Sequence, residues 1–134
     1  MPQKDIKVLL IDDEVAFVNT LAQRLIIRDI KVNTAYDGEQ ALSKLLTEKT
    51  DVIILDLNMP GMHGMEVLRE IKKAHPDIQV IVLTGHGTDK DEDEVKRFGG
   101  FGFLKKPVDI ETLERKIKAA VKEKRAKIVG NSFC

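Results

Sequence analysis

Val52-Ile53-Ile54-Leu55-Asp56-Leu57-Asn58-Met59-Pro60-Gly61 runs from an unbroken apolar stretch into a carboxylate and then a Pro-Gly turn. A short run rich in Val, Ile and Leu that closes on a turn signal predicts a strand, here Val52 to Asp56. Working outward, four more runs read the same way: Lys7 to Ile11, Lys31 to Ala35, Gln79 to Thr84 and Gly102 to Lys105. Between them, apolar residues recur three and four positions apart, the spacing of a helix with one buried face. Phe17, Val18, Leu21 and Leu25 form one such set; Ala41, Leu42, Leu45 and Leu46 form another; Met65, Leu68 and Ile71 a third. The last helix carries Ile110, Leu113, Ile117, Ala120 and Val121, with Asp109 placed as its N-cap just after Pro107, a residue unsuited to a helix interior. The fourth helix has the thinnest apolar face. Asp89 to Glu94 holds five acids and one lysine, leaving Val95 and Phe98 to bury, so a short or mobile segment is expected.

Strands alternating with helices in so short a chain imply right-handed crossovers and a parallel sheet covered on both faces, an α/β doubly wound fold. The 134 residues suit one domain. We read it as 5–125, followed by a C-terminal tail at 126–134 that is expected to be flexible, with no repeat and no linker that would separate a second domain. Composition supports a packed core, with 43% apolar and 33% charged residues and only 9 Gly and 4 Pro.

The same totals exclude several function classes. Twenty-two basic and 22 acidic residues cancel, so the chain lacks the basic footprint of a nucleic-acid binder and no direct nucleic-acid contact is expected. Cys134 is the only cysteine, which rules out a disulfide framework or a thiolate zinc site within one chain and fits a reducing compartment. The longest apolar runs are far too short to span a bilayer, and Met1 to Ile6 lacks a signal-peptide core, so a cytoplasmic protein without a membrane partner is expected.

The residues that break the buried-strand pattern sit where the runs stop: Asp12, Asp13, Asp56, Thr84 and Lys106. In a parallel sheet these ends converge on one edge, where such folds hold their ligands. Carboxylates brought together repel, so the cluster either retains protons or recruits a cation. An all-oxygen ligand set favours Mg²⁺, which keeps several waters and shares carboxylates with a phosphate. That points to phosphoryl chemistry, in which a carboxylate can itself be the nucleophile if a metal and a positioned cation offset the incoming charge. Lys106 can supply the cation. Thr84 can donate a hydrogen bond to a phosphoryl oxygen, and Gly85-His86-Gly87 lets the loop follow.

Ile11-Asp12-Asp13-Glu14, Asp56-Leu57-Asn58-Met59-Pro60-Gly61-Met62, Leu83-Thr84-Gly85 and Phe103-Leu104-Lys105-Lys106-Pro107, in this order, resemble the receiver domain of two-component response regulators, including the single-domain chemotaxis type. The likeness runs from about Lys7 to Glu123. It implies a flavodoxin-like strand order 2-1-3-4-5 and a signalling domain that catalyses only its own phosphoryl transfer and dephosphorylation. Asp56 is then the phosphoacceptor, with Mg²⁺ (or Mn²⁺) held by Asp12, Asp13, Asp56 and the backbone carbonyl of Asn58. Thr84 and Lys106 grip the phosphoryl group, Thr84 and Phe103 form the conformational switch, and the Lys106-Pro107 peptide is cis. The implied partners are a histidine kinase or phosphotransfer protein, and a downstream target or output domain that reads the face made by the fourth helix, fifth strand and fifth helix. Two features depart from the usual pattern: His63 stands where an acid is common, and the acidic Asp89 to Glu94 stretch replaces a more apolar helix.

Each residue also has an ordinary reading. Asp12 and Asp13 could be helix N-terminal acids, Asp56 an Asx-type strand exit, Thr84 a strand end and Phe103 a core aromatic. Gly99, Gly100 and Gly102 precede a strand and read as a turn, not a phosphate loop. His63, His75 and His86 share no helical i, i+4 face that would suit a metal, although His86, two residues after Thr84, is placed to influence how long the phosphoryl group survives. The seven basic residues between Arg115 and Lys127 read as a solvated helix end. Two other functions compete. A phosphatase of the haloacid-dehalogenase type would carry Asp-x-Asp on its first strand, where this chain has adjacent acids. A flavin-binding flavodoxin would cradle a phosphate in a first loop that here carries two carboxylates.

Overall fold

Each apolar run becomes a strand in the computed structural model, which describes residues 5–132, with side chains as far as Ala126. The strands are β1 (Ile6–Ile11), β2 (Ile30–Ala35), β3 (Val52–Leu55), β4 (Gln79–Thr84) and β5 (Gly102–Lys105). They form one sheet in the order β2-β1-β3-β4-β5, and every pairing is parallel. Parallel neighbours require long crossovers, which the first four of the five helices supply, the fifth following β5. The helices are α1 (Val15–Ile27), α2 (Gly38–Thr47), α3 (Gly64–Ala74), α4 (Asp89–Arg97) and α5 (Ile110–Ser132).

Strand side chains alternate between faces, so each strand feeds two cores. Leu9, Ile11, Ile53, Leu55, Val80 and Val82 point to the layer of α2, α3 and α4. Val8, Leu10, Ile54, Ile81 and Leu83 point to α1 and α5, where Val18, Leu21, Leu25, Leu113, Ile117 and Val121 meet them. Both faces being covered explains why β1 and β3 are apolar at nearly every position.

The helices follow their apolar stripes with one exception. Ala41 and Leu45 of α2 are buried and Leu42 packs against the same core, but Leu46 is 79% exposed. α4 is the shortest helix, nine residues, and Val95 is its only buried side chain. Its N-terminus is closed by a capping box in which Thr88 Oγ1 accepts from Asp91 N at 3.1 Å and Asp91 accepts from Thr88 N at 3.0 Å. Asp109 caps α5, accepting from the backbone N–H of Thr112 at 2.7 Å. The region read as a tail from residue 126 stays helical as far as Ser132, an extension of α5, while residues 133–134 lie outside those described.

At the N-terminal edge of the sheet, Asp51 accepts from Lys7 N at 2.9 Å and pairs with Lys124 Nζ at 3.1 Å, tying α5 to the strands. Together with Lys118, which pairs with Glu114, and Lys116, which lies against the Phe101 ring, this gives three of the α5 cations structural partners. No helix among the described residues is long and apolar enough to cross a membrane.

Candidate functional site

Parallel strands end on the same side, and the residues just past them meet there. Asp12 follows β1, Asp56 follows β3, Thr84 closes β4 and Lys106 follows β5. The backbone fixes these ends in place: Asp12 N donates to Ala35 O, Asp56 N to Ile11 O and Lys106 N to Thr84 O, all at 2.9–3.1 Å. Gly64, the first residue of α3, holds the loop after Asp56 from behind. A Cβ there would lie 2.4 Å from the Leu57 Cα and 2.5 Å from the Asp56 carbonyl oxygen, so only glycine lets α3 approach so closely.

Asp12, Asp13 and Asp56 each offer a carboxylate oxygen within 4.8 Å of the others, the only such group of possible metal ligands among the described residues. Asp12 and Asp56 are buried and Asp13 is more open. His63, His75 and His86 take no part; His63 instead caps α3, its Nδ1 accepting from Met65 N at 3.1 Å.

Lys106 is the cation of the site. Its Nζ lies 2.7 Å from Asp12 Oδ2, 3.1 Å from Glu14 Oε1 and 3.8 Å from Asp56 Oδ2. The ammonium also sits 4.2 Å from the centre of the Phe17 ring, a cation–π contact. Burial pushes the Lys106 pKa down, but hydrogen bonds from the ammonium to Asp12 and Glu14, with attraction to Asp12 and Asp56, outweigh it and hold the group above its ordinary value. Burial raises the Asp12 carboxyl above the usual range, helped by repulsion from Asp56 and opposed by Lys106 and the Glu14 N–H. One ammonium therefore leaves the cluster short of positive charge. All-oxygen donors with unbalanced negative charge fit Mg²⁺ or Mn²⁺ by number and type.

Thr84 is fully buried, and its hydroxyl accepts from Asn58 Nδ2 at 3.2 Å. Asn58 N in turn donates to Asp56 Oδ1 at 3.3 Å. Phe103, half-buried on β5, packs against the core on the α4 side. The Lys106-Pro107 peptide bond is cis. The structure thus gathers Asp12, Asp13, Asp56, Asn58, Thr84 and Lys106 at one edge, with Phe103 one strand away from Thr84. Sequence reasoning did not pick out Glu14 or Phe17 as partners of Lys106, nor Gly64 behind Asp56. Glu14 belongs to the quoted Asp12-Asp13-Glu14 run, but nothing local signals a partner 92 residues away.

Residues 8–118 match the family model for the response regulator receiver domain. The transcriptional regulatory protein GlrR of Escherichia coli (strain K12) is 38% identical over 123 residues, 92% of this chain and 28% of that protein. The C4-dicarboxylate transport transcriptional regulatory protein DctD of Pseudomonas aeruginosa is 34% identical over 119 residues, 89% of this chain and 26% of that protein. The chain therefore spans just over a quarter of the length of these curated relatives. Among solved structures, a response regulator receiver domain protein from Clostridium thermocellum superposes with a TM-score of 0.85 at 36% identity, covering 90% of this chain and 98% of that one. A CheY-like receiver domain protein from Methanospirillum hungatei JF-1 gives 0.88 at 25% identity, covering 92% and 99%. With five parallel strands in the order 2-1-3-4-5 and an acidic cluster at their carboxyl ends, this chain belongs to the response regulator receiver domain family.

Proposed function

We propose that this receiver takes a phosphoryl group onto Asp56, from a histidine kinase, a phosphotransfer protein or a small phosphodonor, and signals by changing shape. The observation that carries the reading is the meeting of Asp12, Asp13 and Asp56 within 4.8 Å, beside an ammonium bonded to Asp12. A carboxylate oxygen of Asp56 attacks phosphorus, the bond from phosphorus to the donor imidazole or acetate breaks, and the leaving group departs with the bonding electrons. The product is a mixed anhydride that water later hydrolyses to carboxylate and phosphate.

Asp12, Asp13, Asp56 and the Asn58 carbonyl would hold Mg²⁺ (or Mn²⁺). When bound, it neutralises charge on the transferring phosphoryl oxygens. Lys106 is within a short movement of Asp56 and supplies a fixed positive charge to a phosphoryl oxygen. Thr84 leaves Asn58 and donates its hydroxyl to another. Its inward movement opens space for Phe103, and the surface of α4, β5 and α5 is reshaped for a downstream target or output domain. The chain works in the cytoplasm and, as a transducer, turns over no external substrate apart from its own phosphodonor. Neither the phosphatase nor the flavin reading fits a chain of this family whose first loop is an adjacent Asp pair.

Intact-mass analysis after incubation with acetyl phosphate tests this, with and without Mg²⁺, on the wild type and Asp56→Asn. A metal-dependent adduct of one phosphoryl group on the wild type alone is expected. Equal labelling of the variant places the acceptor elsewhere.

A further inference from the structure

The turn from β4 to α4 carries Gly85, His86 and Gly87 before the Thr88 cap. Gly87 has no conformational need to be glycine, since its φ lies outside the left-handed region occupied by Gly61 and Gly99. Space is what requires it. A Cβ on Gly87 would lie 2.3 Å from Cζ of Phe103, 3.1 Å from its Cε1 and 2.8 Å from Cγ2 of Thr84. Gly85, two residues earlier, would meet nothing nearer than 4.0 Å, so of the two glycines in this turn only Gly87 is crowded.

The crowding atoms differ in their freedom to yield. Thr84 is fully buried, its hydroxyl is engaged by Asn58 at 3.2 Å, and its carbonyl accepts from Lys106 N at 2.9 Å. Cζ of Phe103 is the tip of a half-buried ring that swings about its side-chain bonds. A side chain at 87 therefore displaces the ring before it displaces Thr84. On its other side Gly87 adjoins Thr88, whose capping box starts α4, a helix that buries only Val95. One residue separates the contact with the ring from the start of the helix.

We infer that Gly87 sets the resting position of the Phe103 ring, its bare backbone being the seat through which Thr84 and β5 hold the start of α4. The inference rests on the reading of Thr84 and Phe103 as the switch. Here the Thr84 hydroxyl is bonded to Asn58, so the seated ring goes with the unmodified site. Filling the seat raises the energy of that position, so in a two-state switch the arrangement in which Thr84 has left Asn58 and the ring has moved gains relative to it. Overpacking of this kind shifts the ratio of two such states by about 5- to 150-fold.

The test uses amide ¹H–¹⁵N spectra of the full chain as wild type, Gly87→Ala, Phe103→Ala and the double variant, each with and without beryllium fluoride plus Mg²⁺. Wild-type amides of β5 and α4 are expected to move on adding beryllium fluoride. Those of Gly87→Ala should already be displaced along the same lines without it. In the Phe103→Ala background, adding Gly87→Ala should disturb only residues beside position 87. If the wild type responds but Gly87→Ala leaves β5 and α4 unmoved, moves them off those lines, or moves them equally without the ring, the inference is overturned. A Gly87→Ala chain that unfolds while the double variant folds supports it, and a double variant that also unfolds counts against it. A wild type that does not respond overturns the switch reading itself, and the inference with it.

Discussion

Replacing Asp56 by Asn removes one of three negative charges that the strand ends press together, and should stabilise the metal-free fold. The carboxylate oxygens lie within 4.8 Å of one another, and at an effective dielectric near 20 two unit charges at that separation repel by about 3.5 kcal/mol. Asp56→Asn abolishes two such repulsions. It also abolishes the attraction to Lys106 Nζ at 3.8 Å, about 4.4 kcal/mol on the same scale. The balance favours the variant by roughly 2–3 kcal/mol, reduced to about 1–2 by solvent screening at the open Asp13. Asn keeps the shape of the side chain and the Oδ1 that accepts from Asn58 N. In EDTA, thermal or urea unfolding should therefore rank the variant above the wild type, by roughly 3–10 °C in Tm for a chain of this size. Mg²⁺ should erase or reverse the order. A ligand at about 100 times its Kd adds about 2.7 kcal/mol to the state that binds it, and the variant, one carboxylate short, gains less. A variant that is less stable than the wild type in EDTA, or a gap unchanged by Mg²⁺, refutes the crowded-charge reasoning.

Other consequences follow from single contacts. Thr88→Ala removes the acceptor of the α4 capping box and should destabilise that helix by about 1 kcal/mol, seen as faster hydrogen exchange confined to α4; unchanged exchange there means the box contributes nothing. Lys124→Met leaves the buried Asp51 carboxylate without its ammonium and should lower stability by roughly 1–3 kcal/mol in urea, with part of the loss recovered in Asp51→Asn/Lys124→Met. The Asp109 carboxyl is held below its usual range by the backbone N–H of Thr112, and further by the Thr112 hydroxyl. Its folded pKa is thus below its unfolded one, so its contribution is present above about pH 4 and lost as pH falls through the depressed value. Asp109→Asn, which keeps an acceptor, should flatten the acid limb of the stability profile; an identical slope in both proteins would contradict the assignment.

Much of the fold was legible because parallel strands buried on both faces have to be apolar along their length. The run from Val52 to Leu55 could hardly be anything else, and Gln79 to Thr84 follows the same rule. A carboxylate placed directly after such a run stands out, which is why Asp12 and Asp56 could be named from the sequence. Their convergence required only that the strands be parallel. Contacts set by distance across the fold were not legible. Glu14 and Phe17 flank Lys106 only because the α1 and β5 ends meet. Gly87 reads locally as a flexible hinge, whereas its need for glycine comes from a ring on another strand. Leu46 belongs to the apolar set of α2 by spacing alone, and the fold leaves it 79% exposed. The α5 helix continues past the point where its apolar stripe fades, since Lys, Glu, Arg and Ala all favour helix without burial.

Locating the modified atom bears most directly on phosphoryl capture at the β3 end. After incubation with acetyl phosphate and Mg²⁺, borohydride reduction converts an aspartyl phosphate to homoserine, which peptide mass mapping assigns to a residue. Homoserine at position 56 alone is the expected result; homoserine at 12 or 13, or at no aspartate while an adduct persists, would contradict it.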